Sequence, residues 1–343
     1  MDLPALVRAL CESPLRSWFL ICVHPVLIPA RLWPAEPRQG PAPAGVFVVA
    51  WAHMMPIRLA RMALLLILGG CGDAGSGAGQ QEAPAAAPPG LPATMSRTPH
   101  FIIHSAATPE QTAAVGVAVE ALHRSYAMTV GQQGTAGAFQ LVLYRDQADF
   151  KAHNRSSPWA EAYYRRPHAF AYPGEGDAPH QWMLHEVTHQ LLAEASGLAA
   201  RGWMNEGMAC YFGASRFSGG TLHAGAPDPA SYPVWWLGEL RFDSAGHPSL
   251  ENVLLPTLRQ LVEDSGPPVA EHVNGYYLAW WSLVHYLMEG DGQAHRRQAL
   301  LLLHRRGDPA AFQQLIGSYA DVEPRWHQHL RALARARDAR ETP

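Results

Sequence analysis

The stretch that most constrains this chain is His185-Glu186-Val187-Thr188-His189, an H-E-x-x-H pentamer within residues 181–190. Its meaning depends on its lying on a helix. Apolar residues at Met183, Leu184, Val187, Leu191, Ala195 and Leu198 recur at spacings of three and four, the helical period. On that helix His185 and His189 stand one turn apart, and both imidazoles project from the same face. Two neutral imidazoles at that separation suit two corners of a tetrahedral Zn²⁺ site. Glu186 lies about 100° round the helix from His185, placed to reach a water on the metal rather than the metal itself. This is the geometry of a zinc hydrolase.

The pentamer also arises by chance in a chain with 18 histidines, so a third ligand is the deciding feature. The extended pattern H-E-x-x-H-x-x-G-x-x-H fails, because Leu192 and Ala195 stand where its glycine and third histidine would be. Glu194 shares the helix but points about 140° away from His189. The next acidic residue is Glu206, in Gly202-Trp-Met-Asn-Glu-Gly-Met-Ala-Cys-Tyr-Phe212. Between them lies Ser196-Gly-Leu-Ala-Ala-Arg-Gly202, whose glycines can end one helix and turn the chain back. A second helix over about 204–214 is expected to present Glu206 opposite the histidine pair. Gly207, without a Cβ, is expected to let those two helices approach closely.

These residues carry a resemblance. HEVTHQ, followed 17 residues after its second histidine by Glu206 in Trp203-Met-Asn-Glu-Gly-Met-Ala-Cys-Tyr211, resembles the gluzincin metallopeptidases of the peptidase MA clan. It is most similar to a bacterial branch of unassigned function with the signature W-x-x-E-G-x-A-x-Y. Tyr277-Leu-Ala-Trp-Trp-Ser-Leu-Val-His-Tyr-Leu287 is similar to that branch's helix after the site, and the match covers roughly residues 98 to 335. The resemblance implies a zincin-like fold, Zn²⁺ held by His185, His189 and Glu206, and Glu186 as general base. It favours Tyr277 as the oxyanion donor, with Tyr276 and Tyr211 as alternatives. Better-known gluzincins carry an Asp four residues after the ligand Glu to orient a zinc histidine; here that position is Cys210.

Upstream, Met54-Met-Pro-Ile-Arg-Leu-Ala-Arg-Met-Ala-Leu-Leu-Leu-Ile-Leu-Gly-Gly-Cys71 has a positive start in Arg58 and Arg61, then a short apolar run. Leu68-Gly-Gly-Cys71 resembles a bacterial lipobox, in which the thiol is lipidated and the chain is cut before the cysteine. Translation is accordingly expected to start at Met54 or Met55, making residues 1–53 a non-native extension. Residues 54–70 are expected to be a lipoprotein signal peptide and 71–98 a flexible Gly/Ala/Pro tether. Processing at Cys71 removes Cys11 and Cys22 and leaves Cys210 without a disulfide partner. Cys210 is expected to be buried near the site rather than to ligate metal. With Gly72 after the cysteine, sorting in a Gram-negative host would place the protein on the periplasmic side of the outer membrane.

Residues 99–338 are expected to form one α+β domain, a zinc-site half over 99–215 and a mainly helical half over 216–338. Phe101–His104 and Phe139–Tyr144 read as strands, and Pro109–Met128 and Gln147–His153 as helices, giving a small mixed sheet. His168–Tyr172 reads as a further strand. In the resembled clan such a strand is the edge beside the cleft, to which an extended substrate can add. Residues 213–248 read as a long irregular stretch, a packed connection in preference to a lid. Helices are expected over 276–287, 296–306, 310–319 and 322–335, with His285, His295, His304, His327 and His329 as packing or surface residues.

The net charge of −3 offers no basic field for nucleic acid, so the expected partners are a peptide or protein substrate and, through Cys71, a membrane. Two functional expectations follow: a zinc metallopeptidase of the cell envelope, or a zinc-binding lipoprotein without turnover.

Overall fold

The computed structural model describes residues 90–131, 137–154 and 160–341. The expected extension, the signal peptide, Cys71 and the tether up to residue 89 lie outside the described residues. The described residues all belong to one unit and have an α+β architecture.

Strand β1 (Thr94–Arg97) pairs antiparallel with β2 (Phe101–Ser105), so the last residues assigned to the tether are part of the sheet. Helix α1 (Pro109–Thr129) begins from a capping box in which Thr108 and Gln111 satisfy each other's backbone N–H. It crosses to β3 (Phe139–Leu143), parallel to β2. After α2 (Gln147–His153), capped by Asp146, come β4 (Tyr163–Arg165) and β5 (His168–Ala171), which pair antiparallel. The sheet order is β1-β2-β3-β5-β4.

This order corrects one expectation. β5 is not an edge: β3 pairs with it on one side and β4 on the other. The outer position belongs to β4, whose three residues are too short to show an alternation in sequence.

The period-two pattern divides the sheet faces. Phe101, Ile103, Phe139, Leu141, Leu143, Ala169 and Ala171 enter the main core, while Val142 and Phe170 join Phe150 of α2 and Tyr144 in a smaller cluster. The main core lies under α1 and α3 (Gln181–Gln190), the helix of the H-E-x-x-H pentamer. A π-turn, Leu191–Ala195, ends α3, and α4 (Gly202–Gly213) returns the chain.

The stretch after α4 is more ordered than expected. β6 (Ser215–Ser218) and β7 (Thr221–Pro227) form a hairpin turned by Gly219 and Gly220, both at positive φ. A 3₁₀ segment, Val234–Glu239, leads to an antiparallel three-stranded sheet of β8 (Arg241–Phe242), β9 (Pro248–Leu250) and β10 (Val253–Leu254). Helices follow: α5 (Leu258–Glu263), α6 (Val273–Glu289), α7 (Arg296–His304), α8 (Pro309–Leu315) and α9 (Tyr319–Glu341). Asp308 and Pro309 open α8 as their residue types predict, and Gly317, at φ +135°, separates α8 from α9. Trp326 of α9 is fully buried and donates its indole N–H to Ser282 Oγ of α6 at 3.1 Å. Among the described residues no helix is long and apolar enough to cross a membrane.

Candidate metal centre

Helix α3 is buried almost all round, which is why so few of its residues are charged. Met183, Leu184, Val187 and Leu191 face the main core. Its C-terminal end is tied to the sheet by Gln190, whose amide donates to Gln140 O of β3 and Pro167 O of the β4–β5 turn. Glu194, in the π-turn, accepts a 2.7 Å hydrogen bond from Tyr164 of β4 and takes no part in the centre. This matches its expected direction.

His185 and His189 meet as the one-turn spacing requires. Their Nε2 atoms are 3.2 Å apart. Glu206 of α4 reaches across, with Oε2 3.3 Å from His185 Nε2 and Oε1 3.6 Å from His189 Nε2. Ligands about 2.0–2.1 Å from a common centre at tetrahedral angles stand about 3.3 Å from one another, so the triad has the spacing of a closed tetrahedral face. His185, Glu186, His189 and Glu206 are all between 4 % and 8 % exposed. Converging lone pairs in so dry a space repel unless a proton or a cation lies among them. The donor set therefore fits a divalent metal.

The electrostatics follow from that proximity. Burial pushes His189 down, but the Glu206 carboxylate, aided by Glu186 and the Asn205 side chain, outweighs it and raises the imidazole to about 9. Burial pushes Glu206 up, and the two histidines overcome it and hold the carboxyl well below the usual range. Cation and anion stabilise each other here in the way a metal would stabilise both ligands.

Helix α4 serves two neighbours with two faces. Glu206, Cys210 and Gly213, at spacings of four and three, face α3. A Cβ on Gly213 would sit 3.0 Å from His185 Cβ and 3.1 Å from Gln181 O. Gly207 does a different job from the one expected. A Cβ there would meet Val284 Cγ2 at 2.5 Å and Trp280 O at 2.8 Å, so this glycine admits α6, and Gly213 admits α3.

Cys210 is 1 % exposed, and its Sγ lies 3.6 Å from His185 Nδ1. Burial, then the Glu206 and Glu186 carboxylates, push its thiol well above the ordinary cysteine value. Of the candidate oxyanion donors, Tyr276 gives its hydroxyl to Pro267 O and Tyr211 gives its own to Glu289. Tyr277 is the one beside the centre, its ring stacked on His185 with centroids 6.2 Å apart. Sequence reasoning missed Tyr232 as a neighbour of the site. Its ring is 5.5 Å from Tyr277 and 5.3 Å from Trp182, and its backbone N–H donates to Gln181 at the start of α3. No periodicity marks it, because it lies between turn and 3₁₀ segment.

A second group, His100, Glu120 and His123, also brings metal-capable atoms together. Glu120 Oε1 accepts from Thr98 Oγ1 at 2.6 Å and from the His100 backbone at 2.8 Å, and Oε2 lies 2.8 Å from His100 Nδ1. The two imidazoles stack with centroids 3.8 Å apart, which directs their in-plane lone pairs side by side instead of to one point. This group ties the β1–β2 turn to α1. His285, His295, His304, His327 and His329 belong to neither group. No protein-family model matches the chain, and no curated protein matches it.

Proposed function

We propose that the protein is a zinc-dependent peptidase of the gluzincin type. The observation that carries this reading is the convergence of His185 Nε2, His189 Nε2 and a Glu206 carboxylate oxygen within 3.2–3.6 Å, with Glu186 on the same helix. His185 and His189 would hold zinc through Nε2, and Glu206 through its carboxylate. When bound, zinc supplies Lewis acidity, making a water nucleophilic near neutral pH and polarising a carbonyl. Glu186 takes the proton from the attacking water and passes it to the leaving amine nitrogen. The Tyr277 hydroxyl donates to the oxygen on which negative charge develops. Packing of α3 between sheet, α1 and α4 holds both imidazoles in place, so little reorganisation accompanies reaction.

The test separates coordination from catalysis. Glu186→Gln keeps side-chain length and removes basicity, so it should retain one zinc per chain while peptide hydrolysis falls by about 10²–10⁴-fold. His185→Ala should lose zinc and activity together. Equal cleavage of a peptide library by wild type and Glu186→Gln would refute the mechanism. A second reading, a zinc-binding module without turnover, draws on the burial of all four polar residues. It gains if wild type binds zinc and cleaves nothing.

The reading extends to location. Cys71, in Leu68-Gly-Gly-Cys71, is the proposed lipid attachment site that holds the enzyme in a bacterial cell envelope, facing the periplasm from the outer membrane in a Gram-negative host. Expressed in a bacterial host, the chain should incorporate labelled palmitate, and Cys71→Ser should not. Equal labelling of both would remove the anchor.

A further inference from the structure

A histidine that ligates a metal through one ring nitrogen depends on what holds the other, because that contact sets the tautomer and the ring's rotation. Beside Nδ1 of His185, the ring nitrogen away from Glu206, lies the thiol of Cys210, 3.6 Å away and 1 % exposed. The placement is built into α4. Cys210 stands four residues after Glu206, one turn along the same face, so the helix that delivers the third ligand also delivers this contact. Gly213, three residues further, brings the α4 backbone so close to His185 that its Cβ would be 3.0 Å away. The stacked ring of Tyr277 restricts His185 from another side. Glu206, Cys210 and Gly213 thus meet His185 from one face of α4.

We infer that Cys210 is a positioning residue: its sulfur receives the His185 Nδ1–H, leaving Nε2 unprotonated and aimed at the metal. This rests on the zinc reading above and goes beyond it. Sulfur is a weak acceptor, so the contact orients the ring while donating less charge to it than a carboxylate would. The centre consequently relies on geometry more than on ligand basicity to hold its metal.

The test compares two near-isosteric variants of the full chain, Cys210→Val and Cys210→Ser. Valine fills the space without a hydrogen-bonding atom, and serine restores an acceptor. Zinc affinity is read by competition with a chromophoric chelator, independent of any peptidase assay. The Val variant should bind zinc about 10- to 100-fold more weakly than wild type, and the Ser variant should stay within about threefold. In zinc-loaded, ¹⁵N-histidine-labelled protein the His185 Nδ1–H resonance should be protected from exchange in wild type and Ser, and exchange-broadened in Val. Equal affinity of Val and wild type overturns the inference and leaves the zinc reading standing. Equal weakening of Val and Ser also overturns it, since packing rather than the hydrogen bond would then be at work. Wild type that binds no zinc removes the zinc reading itself. Should the Val variant not fold, as judged by near-ultraviolet circular dichroism, Cys210→Ala takes its place with the same expected loss.

Discussion

Tyr277 has a ring and a hydroxyl, and the two can be separated. Tyr277 is 5 % exposed and its ring stacks on His185. Tyr277→Phe keeps the stack and deletes only the oxygen. If that hydroxyl stabilises the developing oxyanion, kcat should fall by about 10²-fold with KM within about threefold, measured as initial rates on a peptide substrate. Unchanged kcat assigns the residue to packing against His185. The residue scale is also where sequence was most informative. His185, Glu186 and His189 are related by helix geometry alone, and any helix over this segment places them as observed. Glu206 was legible through its spacing and the turn before it. Cys210 was expected near the site, and only the packing of α4 on α3 decides that its sulfur meets His185 Nδ1.

The elements that matter most are α4 and its two neighbours. From the sequence Gly207 is expected at the contact with the H-E-x-x-H helix, α3, and the structure gives it to α6. The reason is rotational: Glu206 must point at α3, so Gly207, about 100° further round, cannot. Gly207→Ala would bring a Cβ within 2.8 Å of Trp280 O, a backbone atom that cannot rotate away. Overpacking of this kind should destabilise the protein by about 1–3 kcal/mol, read as a lower urea midpoint with an unchanged slope. A wild-type midpoint would show that α6 yields without strain. The β6–β7 hairpin had a readable signal in Ser218-Gly-Gly-Thr221, a pair of glycines suited to a turn with two positive φ values. β4 had none. Its Tyr164 donates to Glu194 of the π-turn, a contact between segments 30 residues apart that no local pattern encodes.

At the scale of the whole molecule, acid should loosen the C-terminal helical region. Burial, with His247 and Arg331 beside it, lowers His327 to about 4, against the pull of Asp243. Burial and neighbouring His285 lower His329 to about 4, against Asp291 and Glu289. The unfolded chain takes up a proton at each near 6.5, and the folded chain only near 4. Between those values the unfolded state binds more protons, so stability rises with pH across the window and falls as pH drops from about 6.5 towards 4. The urea midpoint should therefore decline over that range, and His329→Gln should flatten the decline. An identical slope in the variant would show that His329 does not contribute to it.

What the amino-acid sequence determined by itself is local. Helical period and turn residues placed α1, α2 and α3, and the one-turn spacing of His185 and His189 aimed two imidazoles at one point. Those properties depend on backbone geometry within a few residues and survive any tertiary arrangement. Which faces meet is settled only by long-range packing: β4 outside β5, Gly207 against α6, Cys210 against His185, and Tyr232 beside Tyr277. Each of these depends on the rotation and separation of elements distant in sequence, set by how all the side chains of a close-packed core fit together, and no local pattern encodes that sum.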